Sequence, residues 1–363
     1  MKSKRTSAAA LAAISVLGVL SWVTPADAAV LSCGQTITVN TVLDNDIGPC
    51  PAGGITIGAD NITFDLNGHR ITGTNFVADL AGVYLLNRTG VTVKNGTVSK
   101  FDIGVAITGG SGNTVTGITA SDNIGGQGGL GGDGIAILSS RANKILSNRT
   151  QNNAPYSGIG LYSRIDNDHP RQIGGPAADN VVHDNQVLDN NISRNRVNQT
   201  NTDNDGIRVE NDAVRNTFTN NTVNNSGLDG ISLFADTADN VLRYNTVTHS
   251  GFYRTTARRG SGIIVFTRSK GNILEYNSAY GNADSGIDIR QPIGAFPGAS
   301  NNRIAFNAAV GNAALPFIPS PVFGPSFDLK DGNLDPPCDA NTWFANRYRT
   351  FNQPCVTIGG QQV

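Results

Sequence analysis

The stretch NDGIRVENDAVRNTFTNNTVNNSGLDGISLF, residues 204–234, contains one short pattern twice. The tripeptide Asp-Gly-Ile occurs at 205–207 and again at 229–231, which is 24 residues later. Between the two copies come three polar residues at intervals of five: Asn216, Asn221 and Ser226. A fixed period of this length is typical of repeat proteins, in which each repeat is one unit that buries its apolar side against its neighbours.

The same pattern extends over most of the chain. A glycine followed by an aliphatic residue recurs at Gly54, Gly82, Gly104, Gly134, Gly158, Gly206, Gly230, Gly262 and Gly286. The units that begin at Gly206, Gly230 and Gly262 all have asparagine ten and fifteen residues after the glycine. Other units keep the asparagine spacing but shift it along the chain. This pattern predicts that the core is the same in every coil and that insertions are confined to surface loops.

Each unit begins with a strand pattern. The segments GIRVE, GISLF, GIIVF and GIDIR alternate aliphatic and other residues, which indicates strands with one buried face. A leucine-rich repeat would need closely spaced leucines. A β-sandwich would not show the same residue types, such as asparagine, at fixed positions of a repeat. We therefore predict an all-β, right-handed parallel β-helix (solenoid) with three strands per coil and about nine to eleven coils. The asparagine columns are expected at the turns, in left-handed conformations and hydrogen-bonded along ladders.

The N-terminus predicts export. A basic segment is followed by an apolar run at 8–23 and by the small-residue cleavage pattern Ala26-Asp27-Ala28, which together are typical of a signal peptide at 1–28. The apolar run is shorter than the ~20 residues that span a bilayer. We therefore expect a secreted protein, extracellular or periplasmic, without stable membrane insertion after cleavage of the signal.

Four cysteines divide into a pair near each end of the chain. They allow three pairings, of which we favour the two local ones: Cys33 with Cys50, and Cys338 with Cys355. The predicted organisation has an N-terminal cap at 29–53, a parallel β-helix at 54–330 and a C-terminal cap at 331–363, with one disulfide in each cap. The caps are placed to cover the exposed strand edges at both ends of the stack.

The charge composition argues against a nucleic-acid partner. The chain has 27 Lys and Arg against 28 Asp and Glu, a formal net charge of −1, and no basic cluster stands out. We expect a monomer.

Two segments carry a family resemblance. Residues 33–74 and 338–356 resemble the N-terminal and C-terminal segments of secreted right-handed β-helix proteins of the NosD-like, pectate-lyase-like group. The resemblance implies the fold, and a superfamily that includes polysaccharide lyases, hydrolases, epimerases and proteins without known activity. A role in copper maturation, as in NosD, is disfavoured because soft copper ligands are missing. The only methionine is Met1, and the histidines are scattered at 69, 169, 183 and 249.

One strand face is the predicted binding surface. If the aliphatic residues of each first strand point inward, the alternate residues face solvent and form a stripe: Tyr162, Arg208, Glu210, Phe234, Phe266, Asp288 and Arg290. Aromatic and charged side chains together suit sugar rings and uronate carboxylates. The plainer alternative is a solvated sheet face with ordinary cross-strand pairs. Five insertions would border this face and add further substrate-binding candidates: His169, Arg258 and Arg259.

The catalytic candidates are Arg208, Glu210, Asp205 and Asp229. Glu210 and Asp288 should lie three coils apart, ~14 Å, which is too far for a glycosidase acid/base pair. Asp205 and Asp229 should lie ~5 Å apart in one column, which would suit such a pair or a weak Ca²⁺ site. Ordinary Asp-Gly turn chemistry is the favoured interpretation of that column.

No metal site is predicted. Asp166 and Asp168 form a weak acidic pattern that lacks the glycine and glutamate of an EF-hand. No cofactor is required, and Ca²⁺ is expected only if the activity is that of a lyase.

The sequence thus leads to two functional hypotheses. The first is a secreted β-helix protein that binds a uronate-type polysaccharide or cell-surface glycan along the first-strand face and cleaves or epimerises it. Whether it is an enzyme stays open; if it is, it is a polysaccharide lyase, a glycoside hydrolase or an epimerase. The alternative is a non-catalytic structural β-solenoid at the cell surface.

Overall fold

The computed structural model describes residues 27–74, 80–125, 131–163, 173–190, 205–252, 259–290, 296–314, 325–333, 338 and 340–363. Within these ranges the chain is all-β, apart from one 3-10 turn at Pro354–Thr357. The strands form two sheets, and neighbouring strands in both are parallel. No helix in the described part of the chain is long and apolar enough to cross a membrane.

The front sheet has eleven strands, one from each coil. They are β2 (Thr36–Ile37), β5 (Ile55–Ile57), β8 (Ala81–Leu86), β10 (Ile103–Thr108), β12 (Ile135–Leu138), β15 (Ile159–Tyr162), β18 (Ile207–Glu210), β21 (Ile231–Leu233), β24 (Ile263–Val265), β27 (Ile287–Ile289) and β30 (Leu329–Asp331).

The bent sheet has 22 strands and closes the rest of each coil. They are β1 (Asp27–Ala29), β3 (Thr41–Leu43), β4 (Ile47–Cys50), β6 (Thr63–Asp65), β7 (Arg70–Gly73), β9 (Thr92–Ser99), β11 (Thr114–Ser121), β13 (Lys144–Leu146), β14 (Arg149–Gln151), β16 (Val181–His183), β17 (Gln186–Leu188), β19 (Thr217–Thr219), β20 (Thr222–Asn224), β22 (Val241–Arg243), β23 (Thr246–Thr248), β25 (Ile273–Glu275), β26 (Ser278–Tyr280), β28 (Arg303–Ala305), β29 (Ala308–Val310), β31 (Thr342–Phe344), β32 (Arg347–Tyr348) and β33 (Gln361–Gln362).

The coil that starts at β18 shows the repeating unit. The chain runs along β18 in the front sheet and then along β19 and β20 in the bent sheet, before β21 starts the next coil. Ile207 pairs with Ile159 before it and with Ile231 after it. The predicted parallel β-helix with about nine to eleven coils is therefore confirmed, and the Gly-Ile steps at Gly206, Gly230 and Gly262 each begin a front-sheet strand.

A continuous apolar core fills the interior. The inward residues of the three strands of one coil, such as Ile207, Val209, Phe218 and Val223, are completely buried in one cluster that runs through the stack. A single coil cannot shield such residues from water, so each coil depends on its neighbours for burial.

Asparagine ladders line the corners of the stack, as predicted. In one of them Asn221 donates from Nδ2 to Oδ1 of Asn245 at 2.9 Å, and Asn245 donates in turn to Asn277 at 2.9 Å. The expected left-handed backbone belongs to a different residue, however. The residue before the ladder asparagine has the positive φ, 57° at Asn220. The prediction assigned the ladder hydrogen bonds and the left-handed turn to one residue. A side chain that points into the core needs the turn to occur at the residue just before it.

The two local disulfides are confirmed. Cys33 and Cys50 have Cα atoms 5.4 Å apart, and those of Cys338 and Cys355 are 6.4 Å apart. Disulfides of this kind are typical of proteins from oxidising compartments. The division at residues 28, 53 and 330 stays a prediction, although strands before Gly54 already pair in parallel with the stack. The predicted signal peptide lies almost entirely outside the described residues.

Candidate functional site

The outer side of the front sheet carries the residues that the strand alternation selected. Ile207 and Val209 point into the core, so Arg208 and Glu210 lie on the opposite side of β18. The register then aligns Arg208 with Ser232, Ile264 and Asp288 on successive strands. Glu210 and Asp288 are three coils apart, in agreement with the separation that excludes them as an acid/base pair.

The predicted exposure of this face is wrong. Phe234 is half-buried, and the other members of the stripe are exposed by 8% or less: Tyr162, Arg208, Glu210, Phe266, Asp288 and Arg290. Strand alternation determines which side of a sheet a residue takes, but not what covers that side. The charged residues are instead neutralised by one another.

The N-terminal half of this outer face is apolar. Ala106, Ala136, Leu138 and Tyr162 belong to a second buried cluster outside the main core. The ring of Tyr162 lies over Gly160, where an added Cβ would come within 2.3 Å of it. Its hydroxyl donates to Asp133 Oδ1 at 2.9 Å. Burial and the charge of Asp133 raise the pKa of Tyr162 well above its ordinary value, so Tyr162 is a packed residue in this structure rather than an exposed sugar platform.

Asp205, Arg208 and Glu210 form a first charge cluster. Arg208 donates from Nη1 to Asp205 Oδ2 at 2.9 Å and from Nε to Glu210 Oε2 at 2.6 Å. The other oxygen of Asp205 accepts the backbone N–H of Asp229 at 3.0 Å. Asp229 in turn accepts the backbone N–H of Ser261 at 2.8 Å. These contacts fit turn chemistry in the Asp-Gly column.

Two aromatic rings join this cluster to a second one. The Arg208 guanidinium lies 4.1 Å from the ring centroid of Phe234, and Phe234 packs on Phe266 with centroids 4.5 Å apart. Arg290 lies 5.8 Å from the centroid of Phe266. Cations over aromatic faces are stabilised when they are desolvated. The outer face is therefore one continuous set of contacts from Arg208 to Arg290.

Asp284, Asp288, Arg290 and Lys330 form the second charge cluster. Oδ2 of Asp288 lies 3.1 Å from Arg290 Nη2 and 3.7 Å from Lys330 Nζ. Its other oxygen, Oδ1, is buried and has no hydrogen-bond partner within the described ranges. A buried carboxylate oxygen without a donor is costly, and in a native structure it is a reason to expect a ligand there.

Asp284 has a raised pKa. Its Oδ1 accepts from the hydroxyl of Ser326 and, at 3.4 Å, from that of Ser285. Burial, and then the negative charge of Asp288, raise the pKa of Asp284 above its usual range. A carboxyl whose pKa is raised thus lies close to another that is paired with two cations. This is how environments separate an acid from a base.

Several predicted site residues cannot be placed. His169, Arg258, Asp166 and Asp168 lie outside the described residues, and Arg259 lies half-buried shortly before β24. Asp284 and Lys330 were not among the predicted candidates. Asp284 comes before its strand, at a position that the alternation does not cover. Lys330 lies in the eleventh front-sheet strand, and register with Asp288 was the signal that could have identified it.

No group of three or more His, Cys, Asp or Glu side chains in the described part of the chain is arranged to hold a metal ion.

Comparisons with known proteins agree with the fold. A family model described as "Right handed beta helix region" matches residues 28–193 and 178–333. The chain therefore belongs to the right-handed β-helix family. A search of curated proteins found no match.

Two solved structures are similar in fold. The periplasmic alginate epimerase AlgG has a TM-score of 0.53 at 13% identity, covering 79% of this chain and 73% of its own. The Dettilon tailspike protein has a TM-score of 0.51 at 17% identity, covering 87% of this chain and 54% of its own. At these identities the similarity concerns the fold alone.

Proposed function

We propose that the outer face of the front sheet binds a uronate-type polysaccharide and that the second charge cluster cleaves or epimerises it. The observation that supports this is the pairing of Asp284, whose pKa is raised, with Asp288 beside two cations. AlgG, which shares the fold, is an epimerase of alginate, itself a uronate polymer.

The cluster has the groups that such a reaction needs. Arg290 and Lys330 would neutralise the uronate carboxylate, which stabilises the negative charge formed when the proton α to it is removed. Asp288 would accept that proton. Asp284 would then either return a proton to the opposite face of the carbon, which is epimerisation, or protonate the oxygen of the departing sugar as the C–O bond breaks, which is β-elimination.

Burial places one requirement on this proposal. All four side chains are nearly inaccessible to solvent, so a polymer can reach them only if this face becomes accessible. The first charge cluster supports the alternative, a structural solenoid without activity. There Arg208 joins Asp205 to Glu210 through two hydrogen bonds, an arrangement that needs no ligand.

The proposal is tested with a panel of alginate, polygalacturonate and neutral glucans, with and without Ca²⁺. Absorbance of unsaturated uronate, reducing ends and NMR of the uronate composition distinguish elimination, hydrolysis and epimerisation. Asp288→Asn is expected to lower the rate about 10²–10⁴-fold, as loss of a general base does. Asp179→Asn, at an exposed ion pair with Arg215, is the control and should keep the rate.

The pH profile gives a second readout. Asp284 must carry a proton to act as the acid, and it does so below its raised pKa. Activity should therefore fall as pH rises through that pKa, and Asp284→Asn should remove this limb of the profile. Absence of every product, together with no binding on a glycan array, would leave only the structural alternative.

A further inference from the structure

One corner of the bent sheet carries an exposed row of aromatic rings. From Ser147 to Ala345 the corner lies between the two bent-sheet strands of each coil, directly before a ladder asparagine, and Gly117 holds the equivalent position within β11. Its successive residues are Gly117, Ser147, Asp184, Asn220, Tyr244, Tyr276, Phe306 and Ala345. We call this set the corner column. At ~4.8 Å per coil it is about 34 Å long.

The aromatic part of the corner column is stacked and open to solvent. The centroids of Tyr244 and Tyr276 are 5.2 Å apart, and those of Tyr276 and Phe306 are 5.0 Å apart, with nearly parallel planes. Phe344 continues the row edge-on at 5.7 Å. Tyr244 is 54% exposed, Tyr276 44%, Phe306 38% and Phe344 44%. Contiguous exposed apolar groups of this kind mark interaction sites more often than isolated ones do.

The backbone at these positions makes the aromatic residues unexpected. Every member of the corner column has a positive φ, with values of 58°, 57° and 58° at Tyr244, Tyr276 and Phe306. In four preceding coils the column has Gly, Ser, Asp or Asn, and Gly, Asp and Asn tolerate this conformation best. A bulky ring there works against the local preference. Ring stacking offsets part of that cost, but it does not require the rings to be exposed.

Half-exposed cations flank the rings. Glu275 lies between Arg243 and Arg303, accepting from Arg243 Nε at 3.0 Å and from Arg303 Nε at 2.6 Å. Arg303 and Arg243 lower the pKa of Glu275, so it stays ionised and the group has a net charge of +1. Both guanidinium groups remain open, with side chains 43% and 45% exposed. The exposed rings and these two arginines together therefore favour an anionic ligand.

The same corner continues as a polar groove toward the N-terminal coils. A shallow cavity of about 270 Å³ lies there, lined by Ser147, Arg149, Asp184 and Gln186 among others. The strip of rings is one side chain wide and several coils long. A narrow, periodic strip of rings, hydroxyls and guanidinium groups fits a chain-like ligand better than a globular protein, which needs a broad patch.

We propose that the corner column from Ser147 to Phe306, together with the adjoining ring of Phe344, is a binding strip for a linear anionic polysaccharide that lies along the axis of the stack. Sugar faces contact the rings and their edges, while Arg243 and Arg303 contact the acidic groups. The strip lies outside the front sheet, needs no opening of a buried face and performs no chemistry. Evidence for or against binding at this strip is therefore independent of the activity proposed above.

The test replaces the rings by the column's own residue type. In the triple variant Tyr244→Asn, Tyr276→Asn, Phe306→Asn, each position receives an amino acid suited to a positive φ. Binding to sodium alginate and to polygalacturonate is measured by affinity electrophoresis, with dextran as the neutral probe. We expect at least tenfold weaker binding to both acidic polymers, little dextran binding by either protein and an unchanged rate on short oligouronates. Tyr276→Phe should bind like the unaltered protein.

A measurement on the unaltered protein covers the case in which the triple variant does not fold. Tyrosine-specific nitration followed by peptide mapping should show that alginate protects Tyr244 and Tyr276 but not Tyr280, which is exposed on β26 outside the corner column. Unchanged nitration of the two corner tyrosines would overturn the proposal, as would equal binding of dextran or full binding by a folded triple variant. Loss of self-association in sedimentation, without any effect on polymer binding, would instead assign the strip to a second copy of the chain.

Discussion

Replacing Arg208 with methionine is expected to lower the free energy of unfolding by about 3–5 kcal/mol, the cost of breaking a buried ion pair from one side. Methionine roughly fills the space of the side chain but leaves Asp205 and Glu210 without the cation that holds them at 2.9 and 2.6 Å. Both carboxyl groups are buried, so water cannot replace the guanidinium without opening the face. Urea unfolding followed by circular dichroism measures the loss.

Two further variants show whether charge is the cause. The triple variant Arg208→Met, Asp205→Asn, Glu210→Gln removes all three charges together and should recover much of the lost stability, because a neutral buried group costs far less than an unpaired ion. Arg215→Met breaks an exposed ion pair with Asp179 and should be nearly silent. If Arg208→Met is as mild as Arg215→Met, the cluster is solvated in solution and the burial described here is incorrect.

Replacing Asn245 with alanine is expected to destabilise the protein by about 3 kcal/mol or more, because it leaves several buried groups unpaired at ~1–3 kcal/mol each. Oδ1 of Asn245 accepts from the backbone N–H and the side chain of Asn221 at 3.0 and 2.9 Å. Its Nδ2 donates to the carbonyl of Phe218 and to Asn277, both at 2.9 Å. Thermal and urea unfolding both report the change.

The matched control lies in the same corner. Asn220 is exposed, has a φ of 57° and takes no part in the buried ladder. Glycine adopts that conformation without a steric cost, so Asn220→Gly should change stability little. Equal effects of the two variants would mean that the ladder contributes through turn conformation rather than through its hydrogen bonds.

Much of the fold was predictable because each repeat has the same residue types at the same positions. Ile207 and Ile231 recur at the period of the coil, and strand alternation selects their side of the sheet. The asparagine columns were identified, but their geometry was assigned to the wrong residue. Asn221 is a core hydrogen-bonding group, whereas Asn220 adopts the left-handed turn. Both are asparagine, so residue type could not separate the two roles.

The candidate site was predicted less well. Arg208, Glu210, Asp288 and Arg290 do share one face, as the period requires, yet they are buried rather than exposed. Asp284 joins Asp288 from outside the strand pattern, through the fold of the preceding turn. The exposed rings of Tyr244, Tyr276 and Phe306 recur in register, but they lie at a corner, where the strand alternation that selects an outer face does not apply.

The sequence by itself determined the coil, its period and the side of each strand residue, because these depend on neighbours in sequence or on a repeat visible in it. Only the tertiary structure decided which outer surface is covered, which charges meet and which carboxyl has a raised pKa. Those properties depend on solvent access and on distances between coils, and they vary along the stack even where the repeat does not. The same Asp-Gly-Ile pattern at 205–207 and 229–231 therefore places Asp205 in an ion pair with Arg208, while Ser232 takes the place of that arginine one coil later.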